Sequence, residues 1–331
     1  MRSKKVLNVV ETHTGGQPTR TVLSGVLQIP GATMWEKYCY MQEKGDWVRT
    51  MVCQEPRGSE IMSGTLLTTP CDPQADVGIL HFEAAGWLPM CGHNTIGACT
   101  AIVEEGLVEV TEPETYITLE TPIGLIRAVV AVENGCAKSV SFRNVPAFAL
   151  LREGTLSTED WGDLTFDIGW GGSAVAFIAA ERFGKPICLE NAKFYEGLAD
   201  MLRPMINEKY PIHHPEIPHI TGISHVAFYE DGDVMRHVVV GPDGRCDRSP
   251  CGNGTCARAA VLFDQGKLAA GDAFEQHSLI DSVFTCKCVE PVMAGETKAM
   301  VPEISGRAWL TSLATYILDD SDSLGKGFLL V

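Results

Sequence analysis

The sequence of 331 residues contains no run of about 20 apolar residues, the length that a membrane-spanning helix requires. Its N-terminal segment MRSKKVLNVVE has too few apolar residues before the first acidic one to form the core of a secretion signal. Both absences predict a cytoplasmic protein. Basic residues are also scarce: 26 Lys and Arg oppose 42 Asp and Glu, giving a formal net charge of -16. We therefore expect neither a nucleic-acid partner nor an anionic membrane.

The sequence also lacks the common signatures of nucleotide and zinc sites. The glycine-rich stretch CGNG (251–254) fits neither GxxxxGK(S/T) nor GxGxxG, so it does not predict a phosphate-binding loop. Zinc sites use matched pairs of ligands, whereas Cys246, Cys251 and Cys256 recur every five residues and Cys286 and Cys288 form a single close pair. A reducing cytoplasm disfavours disulfides. We expect no metal, and we expect most of the twelve cysteines to be buried, with one or two reactive.

What is present is a pattern of alternating apolar and polar residues, which is typical of half-buried strands. Gly, Pro, Asn and Asp interrupt the pattern at short intervals, as hairpins require. One stretch, 190–210, instead repeats apolar residues at helical spacing. Strands with a few inserted helices predict the α+β class. The predicted strands are 4–13, 19–29, 115–132, 137–145, 224–230, 235–241, 296–301 and 306–318.

Two stretches, MCGHNTIGAC (90–99) and SPCGNGTCAR (249–258), share a cysteine followed by a long series of matching positions. Each predicts a buried helix of about three turns that begins at the cysteine and ends at a glycine suited to the left-handed conformation. The alternative is that two unrelated helix starts share Cys-Gly by chance, and the number of matching positions argues against it. The matches are Gly at +1, Thr at +4, apolar residues at +10 to +12, an acidic residue at +13 and Gly at +15.

A cysteine at a helix N-terminus lies beside unsatisfied N–H groups and the positive end of the helix dipole, which favour thiolate over thiol. The same N–H groups form a seat for a carboxylate. Two such helix ends facing one carbon atom can remove a proton from one side and deliver one from the other. Cys91 and Cys251 are therefore the candidate acid and base thiols of a reaction that inverts a stereocentre without a cofactor.

Neighbouring residues fit this chemistry. Gly92 and Gly252 suit a backbone that closely approaches a ligand. His93 lies two residues after Cys91 and can polarise its thiol; a purely structural histidine is the alternative. Asp247 can pair with a substrate amine, and a turn residue in the segment GRCDRSP is an equally good interpretation.

At these residues the chain resembles the proline racemase family, within the fold group of diaminopimelate epimerase. The resemblance covers nearly the whole chain and rests on motifs in order: THTGGQPTR (12–20), EPRG (55–58), MCGHNTIG (90–97), DIGWGGS (167–173) and DRSPCGNGT (247–255). It implies two pseudo-symmetric domains, each a curved, mostly antiparallel sheet wrapped around a central helix. They would comprise 1–128 plus 310–331, carrying Cys91, and 129–309, carrying Cys251, with the active site in the cleft between them.

The resemblance also implies roles for individual residues. Cys91 and Cys251 would be the catalytic thiols, and Gly92, His93 and Asp247 would contact the substrate. Its carboxylate would be held by Gly252 and Asn253. The resemblance further implies no pyridoxal phosphate, a homodimer, and a small-molecule substrate of the proline type.

Departures from the family pattern bear on the substrate. Ser63 stands where proline-specific members carry a bulky aromatic residue, which favours a hydroxylated ring. His225 is a candidate contact for that hydroxyl group, with a packed strand histidine as the alternative. These features favour 4-hydroxyproline 2-epimerase slightly over proline racemase. A trans-3-hydroxy-L-proline dehydratase is the next hypothesis, although Cys251 favours inversion over elimination, and a non-catalytic thiol redox or binding protein is the third.

Overall fold

The computed structural model describes residues 3–217 and 220–330. These residues form two compact units: 3–142 with 306–330 is the first, and 143–217 with 220–305 is the second. Each unit is mostly sheet with a few helices, in agreement with the predicted α+β class. No helix within the described ranges is both long and apolar enough to span a membrane.

The first unit contains a long sheet, two outer helices and one central helix. Its elements in chain order are β1 (Ser3–Thr14), β2 (Gln17–Ser24), α1 (Met34–Glu43), α2 (Trp47–Cys53), β3 (Ser63–Thr68), β4 (Val77–Glu83), β5 (Trp87–Leu88), α3 (Gly92–Glu104), β6 (Glu114–Thr121), β7 (Gly124–Glu133) and β8 (Cys136–Arg143).

The second unit repeats this plan, and the chain then returns to the first unit for its last strand. The elements are β9 (Ala147–Thr158), β10 (Gly162–Trp170), β11 (Ala174–Ala179), two 3-10 helices (Ala180–Phe183 and Leu189–Asn191), α4 (Ala192–Lys209), β12 (His225–Glu230), β13 (Met235–Val240), α5 (Gly252–Asp264), β14 (Ala273–His277), β15 (Val283–Ala294), β16 (Thr297–Gly306) and finally β17 (Ala308–Asp319).

The two sheets have the same succession of strand directions. In the first unit the order is β17-β1-β2-β3-β4-β6-β7-β8, with the short β5 beside β4. In the second unit it is β9-β10-β11-β12-β13-β14-β15-β16. The third and fifth pairings are parallel in each, and the others are antiparallel. In both units, therefore, helices lie in the connections after the third and fifth strands of these orders, where the next strand is parallel and requires a crossover.

The central helices α3 and α5 each pack against the sheet of their own unit. Helix α3 packs against β17, β1 and β2, and α5 packs against the corresponding β9, β10 and β11. Over the thirteen residues from each cysteine, twelve are buried, and the exception is His93 in one unit and Asn253 in the other. Both helices are thus surrounded by apolar neighbours, as their sequences predict.

Both central helices end in the same way. The N–H of Leu107 bonds to the carbonyl of Ile102, and that of Lys267 bonds to the carbonyl of Leu262. The preceding glycines, Gly106 and Gly266, have φ angles of 61° and 71°. This hydrogen-bond pattern is the Schellman motif, which favours glycine in the left-handed position. The predicted glycine stops are confirmed.

Some sequence predictions differ from the structure. The segment 115–132 forms a hairpin of two strands, β6 and β7, because Thr121 pairs with Gly124 across a two-residue turn. Helix α4 (Ala192–Lys209) confirms the predicted helix, whereas α1 and α2 were not predicted. In α1 a buried lysine, Lys37, interrupts the apolar face, and its ammonium donates to the carbonyl of Thr69.

The domain boundary at residue 128 stays a prediction. Strand β7 pairs along its length with β6, and β8 pairs with β7, so both belong to one antiparallel meander. The compact first unit extends accordingly to residue 142 and resumes at 306. Sequence alternation does not locate such a boundary, because the pattern is the same on both sides of it.

Glycines allow the central helices to approach their sheets closely. A Cβ atom on Gly97 of α3 would lie 2.7 Å from the hydroxyl of Thr19 and 3.1 Å from that of Thr12. In the second unit the glycines are on the strand side: a Cβ on Gly171 would lie 2.3 Å from the backbone nitrogen of Ala257 in α5. The segment DIGWGGS therefore serves close packing of α5.

We expect Gly97→Ala to destabilise the protein. Overpacking a buried site typically costs about 1–3 kcal/mol, which outweighs the roughly 1 kcal/mol that alanine gains over glycine in a helix. Urea denaturation should show a lower midpoint than that of the unchanged protein.

Gly197→Ala is the matched control. Gly197 is an exposed residue within α4, and no atom lies within 4 Å of its missing Cβ. This substitution should raise the free energy of unfolding by about 1 kcal/mol. Equal midpoints for Gly97→Ala and the unchanged protein would show that the surrounding threonines move aside at no cost.

Candidate active site

Cys91 and Cys251 are the N-cap residues of α3 and α5. Both are buried, with exposed fractions of 7% and 8%. Each is followed by a buried glycine, Gly92 or Gly252, and then by a partly exposed polar residue. The structure therefore presents each predicted thiol at the start of a buried helix, beside one accessible polar side chain.

The two thiols have different immediate partners. Cys251 has a φ angle of 61°, in the left-handed region, and its Sγ accepts a hydrogen bond of 3.4 Å from the N–H of Gly254. Cys91 has an extended backbone, and its Sγ lies 3.5 Å from Nε2 of His93. A backbone N–H at a helix N-terminus stabilises negative charge on sulfur, and an imidazole can exchange a proton with it.

His93 belongs to a short polar chain that includes Ser63. Its Nε2 lies 3.2 Å from the hydroxyl of Ser63, and that hydroxyl donates to Oδ1 of Asn94 over 2.8 Å. The amide of Asn94 in turn donates to the carbonyl of Gly64. Ser63 is therefore a buried support for His93, and a direct contact between Ser63 and a substrate stays a prediction.

Asp247 and Ser249 fix the backbone just before Cys251. Oδ1 of Asp247 accepts from both the N–H and the hydroxyl of Ser249, each over 2.9 Å. The Ser249 hydroxyl oxygen accepts from the N–H of Cys251 over 3.1 Å. The turn interpretation of Asp247 is confirmed by these bonds. A role of the Asp247 carboxylate in substrate binding stays a prediction.

Asn253 lies against the glycine pair of WGGS. A Cβ on Gly172 would lie 2.7 Å from Oδ1 of Asn253, and Gly172 has a φ angle of 104°. Only glycine satisfies both constraints without strain. The accessible amide of Asn253 is thus held beside the first turn of α5.

His225 begins β12, on the sheet face that packs against α5. Along this strand Ala227 contacts the apolar cluster around Cys251, whereas Val226 and Phe228 belong to the core on the other face. Strand alternation places His225 on the Ala227 side. Burial, with a smaller effect of Arg203, lowers the pKa of His225 to about 4, so it is neutral at pH 7. Its Nδ1 lies 2.7 Å from the Ser224 hydroxyl.

Two fully buried histidines, which the sequence analysis did not identify, are linked by hydrogen bonds to the backbone at the two cysteines. His81 on β4 lies 3.2 Å from the hydroxyl of Thr95, which donates to the carbonyl of Cys91. His237 on β13 bonds to the carbonyl of Pro250, just before Cys251. The Thr that both motifs carry at +4 is the one sequence signal of this arrangement, since its hydroxyl bonds to a backbone carbonyl at the helix start in each unit. The histidines precede their cysteines by unequal intervals, ten and fourteen residues, which hid the correspondence.

The regularly spaced cysteines have separate environments. Cys246 directs its thiol to the carbonyl of Ala192, and Cys256 accepts from the amide of Asn144. Within 3–217 and 220–330, no group of three or more His, Cys, Asp or Glu side chains is arranged to hold a metal ion.

Comparisons with known proteins agree with one another. The model of the proline racemase family matches residues 9–329. Among curated relatives, a 4-hydroxyproline 2-epimerase of Streptosporangium roseum is 41% identical and a proline racemase of Clostridioides difficile is 40% identical, each alignment covering 100% of both chains. A trans-3-hydroxy-L-proline dehydratase of Burkholderia ambifaria is 35% identical over 99% of both.

A solved structure is similar throughout. The hydroxyproline epimerase of Agrobacterium vitis, with bound trans-4-hydroxy-L-proline, gives a TM-score of 0.90 at 32% identity. The similarity covers 100% of this chain and 96% of that one.

We expect the two buried histidines to make stability depend on pH. Burial is the main cause that lowers the pKa of His81 to about 3 and that of His237 to about 4, from 6.5. Between pH 6.5 and 4 the unfolded chain binds more protons than the folded one. Stability is therefore complete above pH 6.5 and is lost as pH falls, by about 1.4 kcal/mol per pH unit for each histidine.

Urea denaturation at pH 7.5 and pH 5.0 measures this loss. The midpoint should be clearly lower at pH 5.0. In the double variant His81→Gln/His237→Gln the pH dependence should be smaller than in the unchanged protein. An unchanged protein with the same midpoint at both pH values would mean that these imidazoles are not buried in their neutral form.

Proposed function

The chain belongs to the proline racemase family, whose members named above include a racemase and an epimerase. We propose that it is a cofactor-independent racemase or epimerase using Cys91 and Cys251. The observation that carries this proposal is the matched pair of buried helix starts, each with a thiol at the N-cap and a partly exposed polar residue two positions later. We propose that hydroxyproline is the preferred substrate and proline the next.

In this mechanism one thiolate takes the α-proton of the amino acid. The electron pair of the broken C–H bond remains on the α-carbon, which flattens and delocalises charge into the carboxylate. The thiol on the opposite face then gives its proton to that pair. One sulfur has gained a proton and the other has lost one, so the roles exchange for the reverse direction. The two titrations belong to the pair as a whole.

The remaining site residues would bind and polarise. The first-turn N–H groups at Gly92 and at Gly252 with Asn253 would hold the carboxylate, where negative charge increases in the transition state. Asp247 would bind the ring nitrogen, and its bonds to Ser249 support a fixed carboxylate orientation. His93 would exchange a hydrogen bond with Cys91 as the thiol gains and loses its proton.

Membership of the family also suggests a domain architecture and an assembly. We propose that the two units are the pseudo-symmetric domains of the diaminopimelate epimerase-like fold, and the matching strand orders support the duplication. The homodimer and the cytoplasmic location stay predictions, as does the independence from cofactors.

A dehydratase is the second candidate, because a dehydratase is among the relatives of similar length. Incubation with L-proline, trans-4-hydroxy-L-proline and trans-3-hydroxy-L-proline in D₂O separates the candidates. Deuterium at the α-carbon with a changed optical rotation supports inversion, whereas a cyclic imine from the 3-hydroxy acid supports elimination. Redox cycling of the thiols without turnover of any of the three would favour a redox protein.

We expect Cys91→Ser and Cys251→Ser each to abolish measurable inversion. Serine keeps the shape but is a far weaker acid than cysteine, and losing one general acid or base costs about 10²–10⁴-fold in rate. Circular dichroism and the urea midpoint should change little. Cys136→Ser is the matched control, since Cys136 is an exposed residue at the start of β8, and full activity is expected. Near-normal inversion by either site variant would refute the two-thiol assignment.

The proposed contact of His225 with the ring hydroxyl predicts a selective effect. A neutral imidazole suits a hydroxyl group better than a carboxylate, and loss of one such bond costs about 0.5–1.5 kcal/mol. His225→Leu should therefore lower kcat/KM for trans-4-hydroxy-L-proline by roughly 3–10-fold more than for L-proline. Steady-state kinetics with both substrates measure the ratio, and an equal loss for both would assign His225 to packing.

A further inference from the structure

The hydrogen bonds around His81 determine which of its nitrogens carries the proton. The Thr95 hydroxyl donates to the carbonyl of Cys91 over 2.8 Å, so its oxygen is left to accept from Nε2–H of His81. Nδ1 of His81 then accepts from the hydroxyl of Thr65 over 2.8 Å. The result is one continuous chain of donors from Thr65 to the backbone of Cys91.

The proton on His237 is assigned in the same way. The carbonyl of Pro250 can only accept, so Nε2 of His237 must be the donor to it. The same carbonyl accepts from the hydroxyl of Thr255 over 3.0 Å. Nδ1 of His237 is buried and finds no hydrogen-bond partner among the described residues. Only the Nε2–H is used, and it is aimed at the peptide that leads into Cys251.

The two histidines lie on corresponding strands of the two units, two residues apart in register. Strands β4 and β13 are each the antiparallel partner of the preceding strand and the parallel partner of the strand that follows the central helix. Each histidine is almost completely buried, with exposed fractions of 0% for His81 and 1% for His237. Burying a polar side chain costs free energy unless hydrogen bonds compensate for the lost water, and the bonds of these two histidines do so at the helix starts.

We propose that His81 and His237 are paired positioning residues, each of which uses an Nε2–H donor to fix the carbonyl at the start of a central helix and thereby the direction of its thiol. The inference rests on the proposed function for its catalytic consequence. Its structural consequence, the orientation and reactivity of each sulfur, does not depend on any substrate. His81 acts through Thr95, and His237 acts directly on the residue before Cys251.

The link matters most at Cys251. Its φ angle of 61° is unfavourable for a residue with a side chain, by about 1–2 kcal/mol. The peptide group between Pro250 and Cys251 must therefore be held in place, and three hydrogen bonds do so. His237 and Thr255 donate to its carbonyl, and the Ser249 hydroxyl accepts from its N–H. Without the histidine, the peptide can rotate toward a more favourable φ angle and carry the sulfur away from the N–H of Gly254.

The test uses two substitutions at each histidine in the full-length protein. Glutamine extends its amide nitrogen to about the position of Nε2 and keeps the donor, whereas asparagine reaches only to the position of Nδ1 and loses it. The rates at which iodoacetamide alkylates Cys91 and Cys251 at pH 7.5 are measured separately by peptide mass spectrometry. The catalytic parameters kcat and KM are measured beside them.

We expect His81→Asn to slow alkylation of Cys91 about fivefold or more and to leave Cys251 within twofold; His237→Asn should do the reverse. Both should lower kcat by about 10–100-fold with a smaller change in KM. The glutamine variants should recover most of each loss. His277→Asn, a substitution at a partly exposed histidine of β14, is the control and should change neither rate.

Equal slowing of both thiols by either asparagine variant would indicate general loosening and would overturn the proposal, as would normal alkylation of both. Absence of racemisation by the unchanged protein would refute the proposed function, while the alkylation rates would still decide the positioning role. Should His81→Asn fail to fold, Thr95→Val interrupts the same link with little change in volume. Should His237→Asn fail to fold, His237→Phe keeps a ring in the same space and removes the donor to the Pro250 carbonyl. Each should then slow alkylation of its own cysteine only.

Discussion

The constraint on which this structure depends is the placement of a sulfur atom at the N-terminal end of a helix that is buried on all sides. The end of the helix supplies N–H donors and positive potential, and burial keeps water from screening them. Such a helix must pack closely against its sheet, because its first turn has to stay accessible while the remaining turns are buried. Gly97 lets α3 approach threonine side chains of its sheet closely, and Gly169 and Gly171 let strand backbone approach the backbone of α5.

The two helix starts are alike in plan and different in detail. Thr95 and Thr255 occupy the same turn, yet one hydroxyl bonds to the cysteine carbonyl and the other to the carbonyl before it. Cys251 has a left-handed backbone and a bond from Gly254, whereas Cys91 is extended and lies beside His93. In the proposed mechanism the two thiols serve alternately as acid and base, which does not require identical surroundings. It needs surroundings in which neither sulfur holds its proton too tightly to exchange roles.

The sequence predicts the central helices well because the same residue pattern, including the glycine stop, occurs at the same offsets after each cysteine. Other features depend on contacts that no local pattern contains. Helix α1 was missed because Lys37 occupies a core-facing position and is satisfied by Thr69, a residue 32 positions away. His81 and His237 were missed because a single histidine in a strand is uninformative until its partners are known. The bonds of the Ser63 hydroxyl to Asn94 and His93 were not predicted for the same reason.

The neutrality of the supporting histidines has a physical rationale. A charged arginine or lysine in their place would also donate to a backbone carbonyl, and it would add a fixed positive charge a few ångströms from sulfur. Such a charge favours the thiolate strongly, and a thiolate held that firmly is a poor base and has no proton to return. A buried imidazole supplies the same directed bond without charge at neutral pH, because burial lowers its pKa to about 3 in His81 and about 4 in His237. The backbone is thus fixed by groups that leave the proton affinity of the sulfur to the helix end and to the ligand.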